Sequence, residues 1–340
     1  MPPETRHKRE ISIAFQTDKT AARYIALAQF VDQYAFDRVS VYCDAPFHPG
    51  FAALLLMAPH LKRARVGIAA LPPTRVHPVD IAAQAALLSE LAAGGVYIGF
   101  ARGAWLADHG IPEPTPPIRT IREAVDVVRY LLGGTVGGYA GQVYPIAPHV
   151  KAPYPLPHTL PRILIGAWGK QLCALAGETA DEVKIGGSAN PDVIPVIAGY
   201  IAAGEQAAGR AAGTVGVCIG AVTVVDADRA LARAAARRSV ALYLPVVAPL
   251  DPTVQIDPAL IARLSALVNA DHLDDAARLI SDDLLDRFAF SGNAADVTAQ
   301  AERLFAAGAS RVEFGTPHGL NAESGIRILG EQVIPALRRV

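Results

Sequence analysis

The sequence predicts an α/β protein built as a (β/α)8 barrel. Short β-branched runs alternate with longer helix-like runs almost from end to end. Eight of the strand-like runs are each followed by a helical one, the count of a closed barrel. A chain of 340 residues also has the length of one large barrel or of two ordinary domains. An open doubly wound sheet shows the same alternation, because closure of a sheet leaves no mark on the pattern. We read residues 1–340 as a single domain.

Residues 11–15, apolar and rich in isoleucine, form the first strand, and 20–36 a helix with Thr20 as its N-cap. Residues 38–43 are the second strand and 49–61 the next helix. Residues 64–71 are the third strand, closed by Pro72-Pro73, and 78–93 are strongly helical. The fourth strand is 95–100, followed by a helix over 118–132 with aliphatic residues at 121, 125, 128 and 132. Residues 162–165, 182–185 and 215–225 are strands five to seven, with helices over 171–179, 191–208 and 229–244. Residues 311–314 are the eighth strand, before a closing helix over 324–337. Two stretches exceed a minimal barrel. Residues 133–161 are rich in Gly and Pro, and 245–290 carry four prolines and then helix-like segments. Excursions that long are usually lids or binding loops.

Composition narrows the partners. Hydrophobic residues make up 51% of the chain, ample to offset ordering entropy, so it is not intrinsically disordered. With 31 basic against 32 acidic residues there is no charge bias towards nucleic acid or an anionic membrane. A small-molecule substrate and a second copy of the chain are the expected partners, and a homodimer follows from the low charge content. Cys43, Cys173 and Cys218 form no CxxC pair and no metal-ligand spacing, so we expect reduced thiols and no metal. The polar start carries no signal-peptide pattern and no apolar run spans a bilayer; the expectation is a cytoplasmic protein.

In such a barrel the site lies at the C-terminal ends of the strands. After strand two stands Asp44, a ligand-binding carboxylate or an Asx-turn residue. After strand three comes His77, and after strand eight His318, each beside a proline. Strand four is followed by Arg102, whose guanidinium suits a phosphate or carboxylate, and by Trp105, whose indole suits a planar ring. Gly166-Ala167-Trp168-Gly169-Lys170 and Gly186-Gly187 follow strands five and six. Their glycines let backbone approach a ligand, and the next helix offers unpaired N–H groups to an anion; a plain βα turn accounts for them equally. No Walker A loop, GxGxxG turn or GxSxG elbow is present.

These stretches resemble the luciferase-like superfamily of flavin- and deazaflavin-dependent oxidoreductases, over essentially the whole chain. The resemblance rests on Pro72-Pro73-Thr74-Arg75-Val76-His77-Pro78, on residues 82–91 and 99–106, and on residues 122–132 and 175–181. Phe314-Gly315-Thr316-Pro317-His318-Gly319 resembles the last strand of its methylenetetrahydromethanopterin reductase branch. It implies a TIM barrel with the isoalloxazine or deazaflavin ring over the mouth and the phosphate at the turns after strands five and six. It also implies a non-prolyl cis peptide at Ala69-Ala70, next to Leu71, buttressing the ring.

Departures from the branches are equally informative. The sugar-phosphate dehydrogenase branch has Asp-His after strand two, where this chain has Asp44-Ala45, and an acid where this chain has Ala104. The methylene-reductase branch has a glutamate near the end of strand one, where this chain reads Ala14-Phe15-Gln16-Thr17. Neither branch's substrate carries over. The resemblance implies hydride transfer between coenzyme F-420 and a small organic substrate. The alternatives are an FMN-dependent monooxygenase using reduced flavin and oxygen, and a flavin- or deazaflavin-binding barrel without catalysis.

Overall fold

Nine strands lie in one parallel sheet among the described residues, 7–339, of the computed structural model. They are β1 (Glu10–Phe15), β2 (Arg38–Val41), β3 (Arg65–Leu71), β4 (Val96–Phe100), β5 (Arg162–Gly166), β6 (Glu182–Gly186), β7 (Gly216–Val225), β8 (Ala289–Gly292) and β9 (Arg311–His318). Strands β1 to β7 pair in sequence order; β9 pairs with both β7 and β1. That closes an eight-stranded barrel. Strand β8 stands outside the ring, paired with the far end of β7.

Helices α1 (Ala21–Val31), α2 (Gly50–Met57), α3 (Pro78–Leu91), α4 (Pro117–Leu132), α5 (Lys170–Thr179) and α6 (Val193–Ala207) follow the first six strands in turn. After β7 come α7 (Arg229–Val247), α8 (Pro258–Asn269), α9 (Leu273–Arg278) and α10 (Asp282–Phe288). Helix α11 (Ala294–Ala306) joins β8 to β9, and α12 (Ala322–Ile328) and α13 (Ile334–Leu337) end the chain around a π-helical turn. Thr20 caps α1, its side chain accepting from the Arg23 amide. The expected end of α7 at residue 244 is too early, since the helix runs on through Pro245 to Val247. Strand β8 and helix α11 answer to no expected element. The last strand is longer than expected, so Thr316, Pro317 and His318 belong to it and not to a loop.

Each barrel strand has two buried faces. Outward aliphatic residues such as Ile11, Ile13, Val39, Val41, Val66, Ile68, Ile163, Ile165, Val183 and Ile185 join the main core under the helices. Each such side chain contributes roughly 1.5–3 kcal/mol by leaving water. The inward face is polar. Arg311 grips Glu182 through two bonds of 2.6 and 3.0 Å and reaches Glu313 at 2.7 Å. Arg38 meets Glu182 at 3.1 Å and also Glu10, while Lys184 bonds Glu313. Three cations thus meet three carboxylates inside the barrel. Burial opposes ionisation of Glu313, but Lys184 and Arg311 outweigh it and hold the carboxyl down at about 2.

The two excursions are tied to the mouth. The Glu123 carboxylate on α4 accepts the backbone N–H groups of Gln142, Val143 and Tyr144 at 3.0, 2.7 and 2.9 Å. The Tyr144 hydroxyl then donates to the Pro73 carbonyl beyond β3 at 3.1 Å. The second excursion is largely helical. Asn190, after β6, donates to Asp251 and Thr253, both at 2.9 Å, and Arg287 bonds Asp192 at 3.0 Å.

Candidate active site

One step up each strand from the ion network, the interior is lined by very small residues. A Cβ placed on Gly166 would sit 3.3 Å from that of Ala101 and 3.7 Å from that of Ala70. A Cβ on Gly186 would meet nothing within 4 Å, and neither would one on Gly169. The strands therefore end in an open floor over which a flat molecule can lie. Helix α5 begins beside it, and its N-cap Gly169 has no side chain to satisfy the first-turn N–H groups. That end of the helix favours an anion.

The expected residues divide between this floor and other places. Ala69 and Leu71 are buried and Ala70 half-buried at the end of β3, and the Ala69–Ala70 peptide is cis. Ala167 donates its N–H to the Lys184 carbonyl at 3.1 Å, Trp168 is half-buried, and Gly169 and Lys170 are exposed. Gly187 has φ +79°, a conformation that suits glycine, but its N–H already binds the Gly220 carbonyl at 2.7 Å. The amides open to an anion are thus those of α5, not that of Gly187. Asp44 is half-buried and accepts a 3.2 Å bond from the Gln16 amide.

Rim and capping positions take the others. Arg102 is exposed and pairs with Glu113 at 2.8 Å. Trp105 is exposed, with φ +55°, and its carbonyl accepts from His109 Nδ1 at 3.0 Å. His77 caps α3, its Nδ1 accepting from the Val79 N–H at 3.2 Å. His318 is only 1% exposed, and its Nε2–H donates to the Ala14 carbonyl at 3.1 Å. Burial lowers its pKa to about 4, so the ring is neutral. The two histidines expected at the mouth are a helix cap and a buried strand tie. The proline beside each suggested a loop, whereas a helix start and a strand end also accommodate it.

The reading from sequence missed Tyr42, Gln16 and the Lys184–Glu313 pair, which lie at or just below the floor. Their signal is an alternation with aliphatic residues. Arg38, Ser40 and Tyr42 fall at every second position, as do Glu182 and Lys184, and Arg311 and Glu313.

The luciferase-like monooxygenase family model matches residues 6–311. The chain belongs to this family. It is accordingly an oxidoreductase of the flavin- or deazaflavin-dependent class. Among curated proteins, this luciferase-like chain is 29% identical over 297 residues to 5,10-methylenetetrahydromethanopterin reductase of Archaeoglobus fulgidus, covering 85% of this chain and 87% of the relative. Among solved structures it superposes on a coenzyme F-420-dependent tetrahydromethanopterin reductase from Methanopyrus kandleri. The TM-score is 0.88 at 21% identity, covering 97% and 99% of the two chains. An F-420-dependent secondary alcohol dehydrogenase, in complex with an F-420–acetone adduct, superposes with a TM-score of 0.77 at 19% identity, over 97% and 99%.

Proposed function

We propose that the protein is a coenzyme F-420-dependent oxidoreductase that exchanges hydride with a small organic substrate. The observation that carries the reading is the 29% identity, over most of both chains, to a methylenetetrahydromethanopterin reductase. The floor fits the cofactor. Ala70, Ala101, Gly166 and Gly186 would hold a tricyclic ring, since their small side chains leave the floor open. The first turn of α5, at Gly169 and Lys170, would hold the cofactor's phosphate. When bound, the deazaflavin supplies a two-electron hydride. The chain's own residues do the rest. Asp44, held by Gln16, and the rim residues Arg102 and Trp105 orient the bound molecules, and the anchored excursions exclude water.

The test is a fluorescence titration with F-420, run beside one with FMN. Saturable F-420 binding with no oxygen uptake is the expected result. FMN binding coupled to oxygen consumption would make the protein a monooxygenase, the reading that the family's name favours. Binding of neither would leave a barrel without this chemistry. We also propose that the protein works as a homodimer in the cytoplasm. Exposed Val79, Leu87 and Leu91 on α3 support an apolar contact face. Light scattering at micromolar protein should give twice the chain mass, and Leu87→Lys should return it to the monomer.

A further inference from the structure

Two tyrosines stand inside the barrel, and their hydroxyls are in different situations. Tyr97, on β4, is in the layer of the ion network, and its hydroxyl is bonded to Ser40, which in turn bonds Glu313. Tyr42 follows directly after β2 and shares the inward parity of Arg38 and Ser40. It therefore stands one step higher, level with the floor. The Lys184 ammonium lies 5.1 Å from its ring centre. Its hydroxyl reaches across to β9, where it occupies the space left by the missing side chain of Gly315. A Cβ there would lie 2.5 Å from the Tyr42 oxygen. Tyr42 is half-buried, and its hydroxyl has no hydrogen-bond partner among the described residues.

The groups around it set what it can meet. The three cations of the ion network are each engaged by a carboxylate: Lys184 by Glu313, Arg311 by Glu182 and Glu313, and Arg38 by Glu10 and Glu182. Asp44 stands at the same mouth and adds negative charge. A carboxylate brought to the Tyr42 oxygen finds Lys184, beside the Tyr42 ring, already paired with Glu313, while the charges of Glu313 and Asp44 oppose it. A neutral carbonyl or imine needs only one donor. Burial and the nearby Glu313 and Asp44 raise the Tyr42 pKa well above the ordinary tyrosine value, so the proton stays on the oxygen.

We infer that the Tyr42 hydroxyl is the donor to the reacting heteroatom of the substrate, and that the site selects neutral carbonyl or imine compounds over carboxylates. This rests on the proposed F-420 chemistry, since it assigns a role at the same mouth. As a group that touches substrate, Tyr42 is a catalytic residue and not only a wall of the barrel. Its oxygen has no partner to lose in the free protein, so removing it leaves the fold unaltered.

The experiment compares the wild type with Tyr42→Phe, each with and without oxidised F-420. Cyclohexanone is the probe, and cyclohexanecarboxylate its charged counterpart. No reaction competes, because ketone and cofactor are both oxidised. The wild type should bind cyclohexanone saturably, with its infrared carbonyl stretch moved to lower wavenumber. In Tyr42→Phe the stretch should return towards its position without a donor, and affinity should fall about threefold to tenfold, the loss of one neutral hydrogen bond. Melting temperature and F-420 affinity should be unchanged, which a merely structural role would not combine with a lost carbonyl shift. The same carbonyl shift in both proteins would overturn the assignment of Tyr42. Absence of ketone binding, or tighter binding of the carboxylate, would overturn the substrate class. Failure of F-420 to bind would sink the functional reading alone, because the ketone is also measured without it.

Discussion

Gly169 begins α5 with φ −85°, a conformation open to any residue, and a Cβ there would point into empty space. Gly169→Val should therefore cost about 1 kcal/mol or less, the ordinary loss at an N-cap. If the cofactor phosphate sits there, F-420 affinity should fall at least about tenfold in the folded variant. Unchanged affinity would show that the glycine serves the turn alone. His318 makes a prediction of a different kind. Its folded pKa of about 4 lies below its ordinary value of 6.5, so the unfolded chain takes up the proton first. Stability should be complete above pH 6.5, decline as pH falls towards 4, and level off for this group below that. The full loss is about 3 kcal/mol at most. Urea unfolding at pH 7 and pH 5 measures it, and His318→Gln should flatten that part of the slope. A variant with the wild-type slope would place the titration elsewhere.

The excursion over 133–161 has little regular structure, only the bridge between Tyr139 and Ile146, so its shape depends on few contacts. Glu123 supplies three of them. Replacing it by Gln removes the charge that strengthens those bonds, at about 1.5–3 kcal/mol. Hydrogen exchange should rise at Gln142, Val143 and Tyr144 while the barrel strands stay protected. Uniform exchange across the molecule would contradict a local anchor. At this scale the sequence is legible where one physical cause dominates. Thr20 could be read as a cap because a hydroxyl before an apolar-periodic run has few other uses. Strand β8 could not be read. It has four residues, directly follows α10, and carries no turn signal before it. Pro245 suggested a helix end, but its missing N–H removes only one bond of a nineteen-residue helix, and α7 continues two residues beyond it.

The alternation of strands and helices made the barrel legible from the chain alone, because parallel strands need crossovers and the crossovers leave apolar periods. The interior charges were hidden. Each of Arg38, Glu182, Lys184, Arg311 and Glu313 has aliphatic neighbours along its strand, and only their mutual pairing across the barrel explains their burial. The floor was legible in part, since Gly166, Gly169 and Gly186 mark it, whereas His77 and His318 drew attention to residues with structural partners. Removing one member of the ion network tests its weight. Arg311→Met leaves Glu182 and Glu313 short of a partner and should cost about 3–5 kcal/mol by urea unfolding. Pairing it with Glu182→Met should recover part of that loss; a double variant no better than the single one would refute mutual compensation. The position of that network in the chain has a consequence for synthesis. Strand β9 brings both Arg311 and Glu313, and pairs with β1 about three hundred residues upstream. Until β9 leaves the ribosome, Lys184 and Ser40 face an interior without Glu313. A nascent or nonsense-truncated chain ending before Arg311 therefore holds a gap in its wall and uncompensated charge beside it. The emergence of β9, which pairs with both β1 and β7, is thus the step that lets the barrel close.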